Sequence, residues 1–163
     1  DYGSYYKPDG SPNDGAGPPA QRLREQDEDG IDAEVLFPPV FASRFLEGIK
    51  DREVYVAMVR AYNTWLAQDY CSVAPDRLIG NSVTPISTID DAVAEVRHAH
   101  ELGLPSVAFY MFPNGTGFAQ PEDDAFWEAC LELGMAISPR IAAALREALA
   151  QGATGVSVGT GTS

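Results

Sequence analysis

Few residues in this chain could do chemistry, and each has to be weighed by where its backbone places it. His98 and His100 are the only histidines, and their spacing imitates a metal-binding His-x-His pair. On a strand such a pair shares a face. These two fall in a segment of helical period, where two positions turn through about 200° and send the rings to nearly opposite sides, so they read as solvent- or interface-facing. The acidic run Asp27-Glu28-Asp29, followed by Asp32 and Glu34, offers oxygen ligands of the kind a hard cation takes. The run sits on a helix-to-strand turn, however, and is read as solvated, while Asp32 and Glu34 come early in the next strand and are expected to satisfy neighbours rather than to act on a substrate. Cys71 and Cys130 lie inside helical segments without Cys-x-x-Cys spacing and are read as core thiols. Gly159-Thr-Gly-Thr-Ser163 resembles half of a phosphate-cradling loop, but neither a Lys nor a helix follows it, and a plain tail is expected.

Four apolar or β-branched runs indicate where to look instead. Residues 31–37, 78–84, 106–112 and 135–138 each close on a proline, at Pro38, Pro85, Pro113 and Pro139. Segments of helical period separate them. Strand-helix alternation argues for βα units on a parallel sheet, whose functional groups gather in the loops after the strand C-termini. Side chains at or just beyond those ends are therefore the candidates for binding substrate: Phe37, Pro38, Phe41, Arg44, Thr84, Tyr110, Phe112, Asn114 and Arg140. Arg44 and Phe41 belong to a loop, 40–50, long enough for a lid or pocket wall. Asn114 opens the turn Asn114-Gly-Thr-Gly117. Arg140 could clamp a carboxylate through two parallel hydrogen bonds or simply begin the helix 141–151, and both readings stand.

The elements that must hold these residues follow from caps and periodicity. Residues 1–20 are rich in Gly and Pro without apolar period and form an irregular lead-in. A short helix over 20–28 stops at Gly30. Asp51 caps a helix over 52–72 whose apolar stripe is read as Val54, Met58, Ala61, Tyr62, Trp65 and Leu66. Thr88 or Asp90 starts a helix that runs through Leu102, with Ala92, Val93, Val96 and Ala99 inward and Gly103 as its stop. Pro121 opens another, with Phe126, Trp127, Cys130, Leu131 and Leu133 buried, closed by Gly134. A fifth strand is expected at 154–158 before the tail, so the barrel-like domain spans 21–151 and 152–163 forms its end.

With 163 residues, of which 45% are hydrophobic and 21% charged, the chain can bury one core. A complete (β/α)8 barrel needs about 200 to 250 residues. Four to five βα units of a partial TIM barrel are what the pattern supplies, and a fragment is expected, the more so because the chain opens on Asp1 in loop-like sequence. The net charge of −13, with only 11 scattered basic residues, argues against nucleic acid or an anionic membrane as partner. No window approaches about 18 consecutive apolar residues and no signal-peptide layout opens the chain, so a soluble cytoplasmic protein is the expectation.

Four ordered motifs carry a family resemblance: Arg22-Leu-Arg-Glu-Gln-Asp-Glu-Asp-Gly-Ile-Asp-Ala-Glu-Val-Leu-Phe-Pro38, Arg60-Ala-Tyr-Asn-Thr-Trp-Leu66, Ala74-Pro-Asp-Arg-Leu-Ile-Gly80 and Glu132-Leu-Gly-Met-Ala-Ile-Ser-Pro139. Over residues 21 to 139 the chain resembles the amidohydrolase-related family that includes aminocarboxymuconate-semialdehyde decarboxylase. That resemblance implies a metal-dependent (β/α)8 barrel that decarboxylates or hydrolyses small carboxylic acids, with a divalent metal, usually zinc. It also implies metal ligands on the first strand, after the fifth and on the last. Residues 31–37 then correspond to the second strand and 135–138 to the fifth. Where the resemblance would place a histidine after Ser-Pro, the chain has Arg140, and a guanidinium does not ligate zinc. The ligands are expected outside this chain, which alone should be inactive. A different class of reading is a non-catalytic half-barrel that covers its open sheet edges by self-association or by pairing with a missing half.

Overall fold

A computed structural model describes residues 5–39, 45–46 and 48–139. Phe41, Arg44, Arg140, the helix expected at 141–151, the strand at 154–158 and the tail lie outside the described residues.

The lead-in meets helix α1, Pro19–Asp29, which starts on a proline, as the first helical turn allows. Gly30 ends it at φ 71°, donating its N–H back to Gln26. Strand β1 is only Glu34–Leu36. The sequence pattern begins it three residues earlier, but the carbonyls of Ile31 and Asp32 accept from the Arg77 guanidinium at 3.2 and 3.0 Å instead of joining a ladder. Arg77 also pairs with Asp27 at 2.8 Å, and Arg22 grips Glu34 through two bonds of 2.5 and 2.7 Å. The Glu34 carboxylate therefore does satisfy a basic neighbour at the N-terminal end of the sheet, whereas Asp32 meets Arg77 through its backbone carbonyl alone.

Helix α2, Arg52–Trp65, begins at Asp51, whose carboxylate accepts from the Val54 N–H at 3.1 Å. It continues as a π-helical turn, Leu66–Tyr70, and a 3-10 turn, Cys71–Val73, so the helical run reaches the expected end but not as one α-helix. Its inward face differs by one position from the stripe read in the sequence. Tyr55, Val59, Asn63 and Leu66 are buried, while Val54, Met58 and Trp65 are exposed. The reason is polar: the Asn63 carboxamide faces the core, donating to the Val83 carbonyl at 2.9 Å and accepting from the Val83 N–H at 2.8 Å. Those two bonds fix the rotation of the helix.

Strand β2, Leu78–Val83, helix α3, Ile89–Glu101, strand β3, Ser106–Phe109, helix α4, Asp124–Leu133, and strand β4, Ala136–Pro139, complete the described chain. Thr88 caps α3 through the Asp91 N–H, and Gly103 and Gly134 close α3 and α4 at φ 83° and 66°. On α4 Ala129 is buried and Leu131 is 79% exposed, reversing the expectation for Leu131. The strands form one parallel sheet in the order β1-β2-β3-β4. Glu34–Leu36 pair with Leu78–Gly80, and Asn81–Val83 pair with Ser106–Ala108. Ser106–Phe109 then pair with Ala136–Pro139.

The main core lies between this sheet and its helices and includes Leu66, Leu78, Val96, Val107 and Phe126. Gly80 faces that layer: a Cβ there would stand 2.6 Å from Leu104 and 3.0 Å from Cys71. Alternation along the strand then turns Asn81 to the inner face. Cys71 and Cys130 are free, buried thiols, each pushed up to about 11 by burial, which leaves them protonated and inert near neutrality.

Candidate functional site at the strand C-termini

Three of the strand-closing prolines, Pro38, Pro85 and Pro113, are fully buried. Proline has no N–H to continue the ladder, so each strand stops there and its next residues turn over the end of the sheet. Tyr110, just past β3, reaches across β2 and donates its hydroxyl to the Pro38 carbonyl at 3.0 Å, strapping the ends of β1 and β3 together. Thr84 sits beneath that crossing, 5% exposed, and its hydroxyl has no partner among the described residues. A small cavity of about 20 Å³, room for one water, is lined by Thr84, Tyr110, Tyr55, Val83 and Ile86. The Tyr55 hydroxyl closes its side by accepting from the Ile86 N–H at 3.2 Å.

Of the residues read from the sequence, Pro38, Thr84 and Tyr110 are thus brought together. Phe37 is 46% exposed beside them. Phe112 turns toward the helices, its ring 5.4 Å from Phe109 and 6.1 Å from Trp127 between centroids. Asn114 is held within its own loop. Its N–H and its side-chain amide both donate to the carboxylate of Asp123, which is fully buried and also accepts from the Gln120 N–H. The Asn114 amide further reaches the Phe118 carbonyl at 2.9 Å, and its Oδ1 accepts from the Thr116 N–H. The loop between β3 and α4 is consequently prebuilt as a wall.

Beneath the site, a buried network was not anticipated. The Asn63 amide donates to Glu95 at 2.8 Å, and Arg60 approaches the same carboxylate at 3.7 Å. Glu95 is 3% exposed, and burial raises its pKa above the ordinary glutamate value, against the lowering effect of Asn63 and Arg60. The sequence carried a faint signal: Asn63 lies four residues after Val59 and Glu95 three after Ala92, both at inward spacing. Asn81, fully buried with neither amide atom partnered among the described residues, escaped notice for the same reason, since a polar residue in a buried strand breaks no period.

His98 lies on α3 with its ring 3.2 Å from the Thr64 hydroxyl, and His100 is exposed on another side of the helix. Among the described residues, no group of three or more His, Cys, Asp or Glu could hold a metal ion. Nor is any helix among them long and apolar enough to cross a membrane.

A parallel βαβ sheet with helices on its outer side, whose strands stop at prolines, defines part of a TIM barrel. The chain belongs to the amidohydrolase family, whose model matches residues 12–159. No match was found among curated proteins. Among solved structures it is similar to 2,6-dihydroxybenzoate decarboxylase from Rhizobium, with TM-score 0.58 and 24% identity over 71% of this chain and 37% of that one. It is also similar to 5-carboxyvanillate decarboxylase from Sphingomonas paucimobilis, with TM-score 0.56 and 22% identity over 72% of this chain and 34% of that one. The 5-carboxyvanillate decarboxylase from Novosphingobium aromaticivorans, complexed with manganese and 4-hydroxy-3-methoxy-5-nitrobenzoic acid, gives TM-score 0.60 and 22% identity, covering 83% of this chain and 39% of that one. The chain therefore spans little more than a third of the length of the structures it matches.

Proposed function

We propose that this chain forms one wall of the active site of a metal-dependent amidohydrolase-type enzyme that decarboxylates a small, aromatic carboxylic acid; hydrolysis of such an acid's C–N or C–O bond is the second chemistry open to this family. The observation that carries the reading is the family match across 12–159, joined to a strand-end face that leaves the Thr84 hydroxyl without a partner among the described residues under the Tyr110 strap. On that face Thr84 offers a donor to a ligand oxygen. Phe37 presents exposed apolar surface beside it, and Pro38 and Tyr110 hold the rim at fixed height.

The described residues do not fit a divalent metal, whether zinc or manganese, because they contain no ligand set. The metal, if bound, would be held by other residues, and no step is assigned to it. Phe41, Arg44 and Arg140, outside the described residues, are further substrate-binding candidates in this proposal, and activity requires strands beyond the four described. Two buried free thiols favour a reducing compartment, the cytoplasm.

The test is release of carbon dioxide from 2,6-dihydroxybenzoate and 5-carboxyvanillate with added manganese or zinc. Residues 1–163 alone should be inactive, and the same chain extended by the coding sequence on either side should turn over. Metal-dependent turnover by residues 1–163 would overturn the proposal. The exposed Val54, Met58 and Trp65 favour a second reading, association of a non-catalytic half-barrel. Sedimentation of the purified chain as one discrete oligomer of stable fold, with no turnover in the extended form, would establish that reading instead.

A further inference from the structure

Much of the apolar stripe that periodicity assigns to α2 lies outside the core. Val54, Met58 and Trp65 are 51%, 40% and 46% exposed, and Ala57 and Ala61 are exposed between them. Val54, Ala57 or Met58, Ala61 and Trp65 recur at three- or four-residue intervals and so share one side of the helix. The contacts with α3 use another side: Arg52 with Asp91, Arg60 and Asn63 with Glu95, and Thr64 with His98. A chain with 24 Asp and Glu places none of them between Glu53 and Asp69, where Arg60 is the sole charge. Apolar surface from which charge is withdrawn has the composition of an interface core rather than of a solvated face.

We propose that two copies of this chain meet on this face, their α2 helices antiparallel across a twofold axis between Val59 and Arg60. Such an axis sets Met58 opposite Ala61 and Val54 opposite Trp65 of the second copy, a larger side chain against a smaller one at each level. Every contact then occurs twice, as an isologous interface requires. The same axis brings Lys50, just before α2, opposite Asp69, in the π-helical turn that continues it, so both ends close on opposite charges. Both residues are exposed, and neither makes a hydrogen bond or ion pair among the described residues. Two copies with a net charge of −13 each repel, and a face free of carboxylates is where one can approach the other at least cost. The proposal names a surface for the association raised above as a second reading, away from the open sheet edges, and it holds whether or not the extended chain turns over.

Sedimentation equilibrium of the 163-residue chain tests this. One helix pair buries a small interface, so a monomer–dimer equilibrium with Kd of about 1 to 100 μM is expected. Met58→Glu puts a carboxylate beside the axis and should weaken the dimer by roughly thirtyfold or more, with an unchanged circular dichroism spectrum. Lys50→Glu and Asp69→Lys should each weaken it by about threefold or more. Combining those two should restore the parental Kd to within about twofold, because the exchanged charges meet again across the axis. Should Met58→Glu fail to fold, the charge-exchange set decides alone. A monomer at all concentrations, or a combined variant no tighter than the two single ones, would overturn the proposal. An oligomer indifferent to Met58→Glu would do so too, and would put association at the sheet edges. So would a dimer lost when the chain is extended by the coding sequence on either side, since the remainder of the same chain would then be the occupant.

Discussion

Replacing Asn63 by leucine tests the idea that one carboxamide joins α2, the end of β2 and α3. The substitution keeps the number and branching of the side-chain heavy atoms but removes both groups that bond the Val83 backbone and the donor that faces Glu95. Each buried polar group left without a partner costs about 1 to 3 kcal/mol. Three such groups give roughly 3 to 9 kcal/mol, a large share of the 5 to 15 kcal/mol typical of a whole domain. Asn63→Asp sharpens the test, because it retains an acceptor for the Val83 N–H yet places a second carboxylate against Glu95, which burial already pushes toward its neutral form. Both acids are then easier to keep protonated than ionised, so the stability of this variant should fall as pH rises from about 5 to 8, beyond any fall in the parent. Urea unfolding followed by far-ultraviolet circular dichroism at both pH values measures these quantities. A cost below about 1 kcal/mol for Asn63→Leu, or a pH-independent cost for Asn63→Asp, would refute the reasoning.

Glu95→Gln should be neutral or stabilising at pH 8. The raised pKa of Glu95 means that its favourable contribution is complete below the unfolded-state value and is lost as pH rises through the folded-state value, and glutamine removes that loss; parallel melts from pH 4 to 8 should show a flatter profile. Gly80→Ala drives a methyl against Leu104 and Cys71 and should cost about 1 to 3 kcal/mol in the same unfolding assay. Asp123→Ala should free the loop before α4. Amide hydrogen exchange at Asn114 and Gln120 should accelerate well beyond that of β3, whereas equal acceleration throughout would mean that Asp123 stabilises the whole domain instead.

Local chemistry made much of the fold legible. Asp51 and Thr88 announce helix starts, Gly30, Gly103 and Gly134 announce stops, and prolines mark three strand ends, because each of these acts over a few residues of backbone. The strand-end face followed from the same grammar, which also put Thr84 and Tyr110 at that end of the sheet, where they line one small cavity. What stayed hidden depends on partners distant in sequence. Asn63 answers to Val83 and Glu95, 20 and 32 residues away, so hydropathy alone turned α2 by one position. Arg77 takes the carbonyls of Ile31 and Asp32, and nothing near β1 warns that its first residues are claimed. Asp123 looks like an ordinary helix-opening acid until its carboxylate is seen to fold back on Asn114.

Strand β2 divides its labour: its first three residues serve β1 and its last three serve β3. The two ladders are therefore connected in series rather than side by side. Once the Tyr110–Pro38 strap gives way, a pull that separates β1 from β4 has to pass along the backbone between Gly80 and Asn81, with Arg77 and Asn63 as the lateral ties on either side of that link. Under load, α1 and β1 should peel away as one piece while β2, β3 and β4 stay zipped.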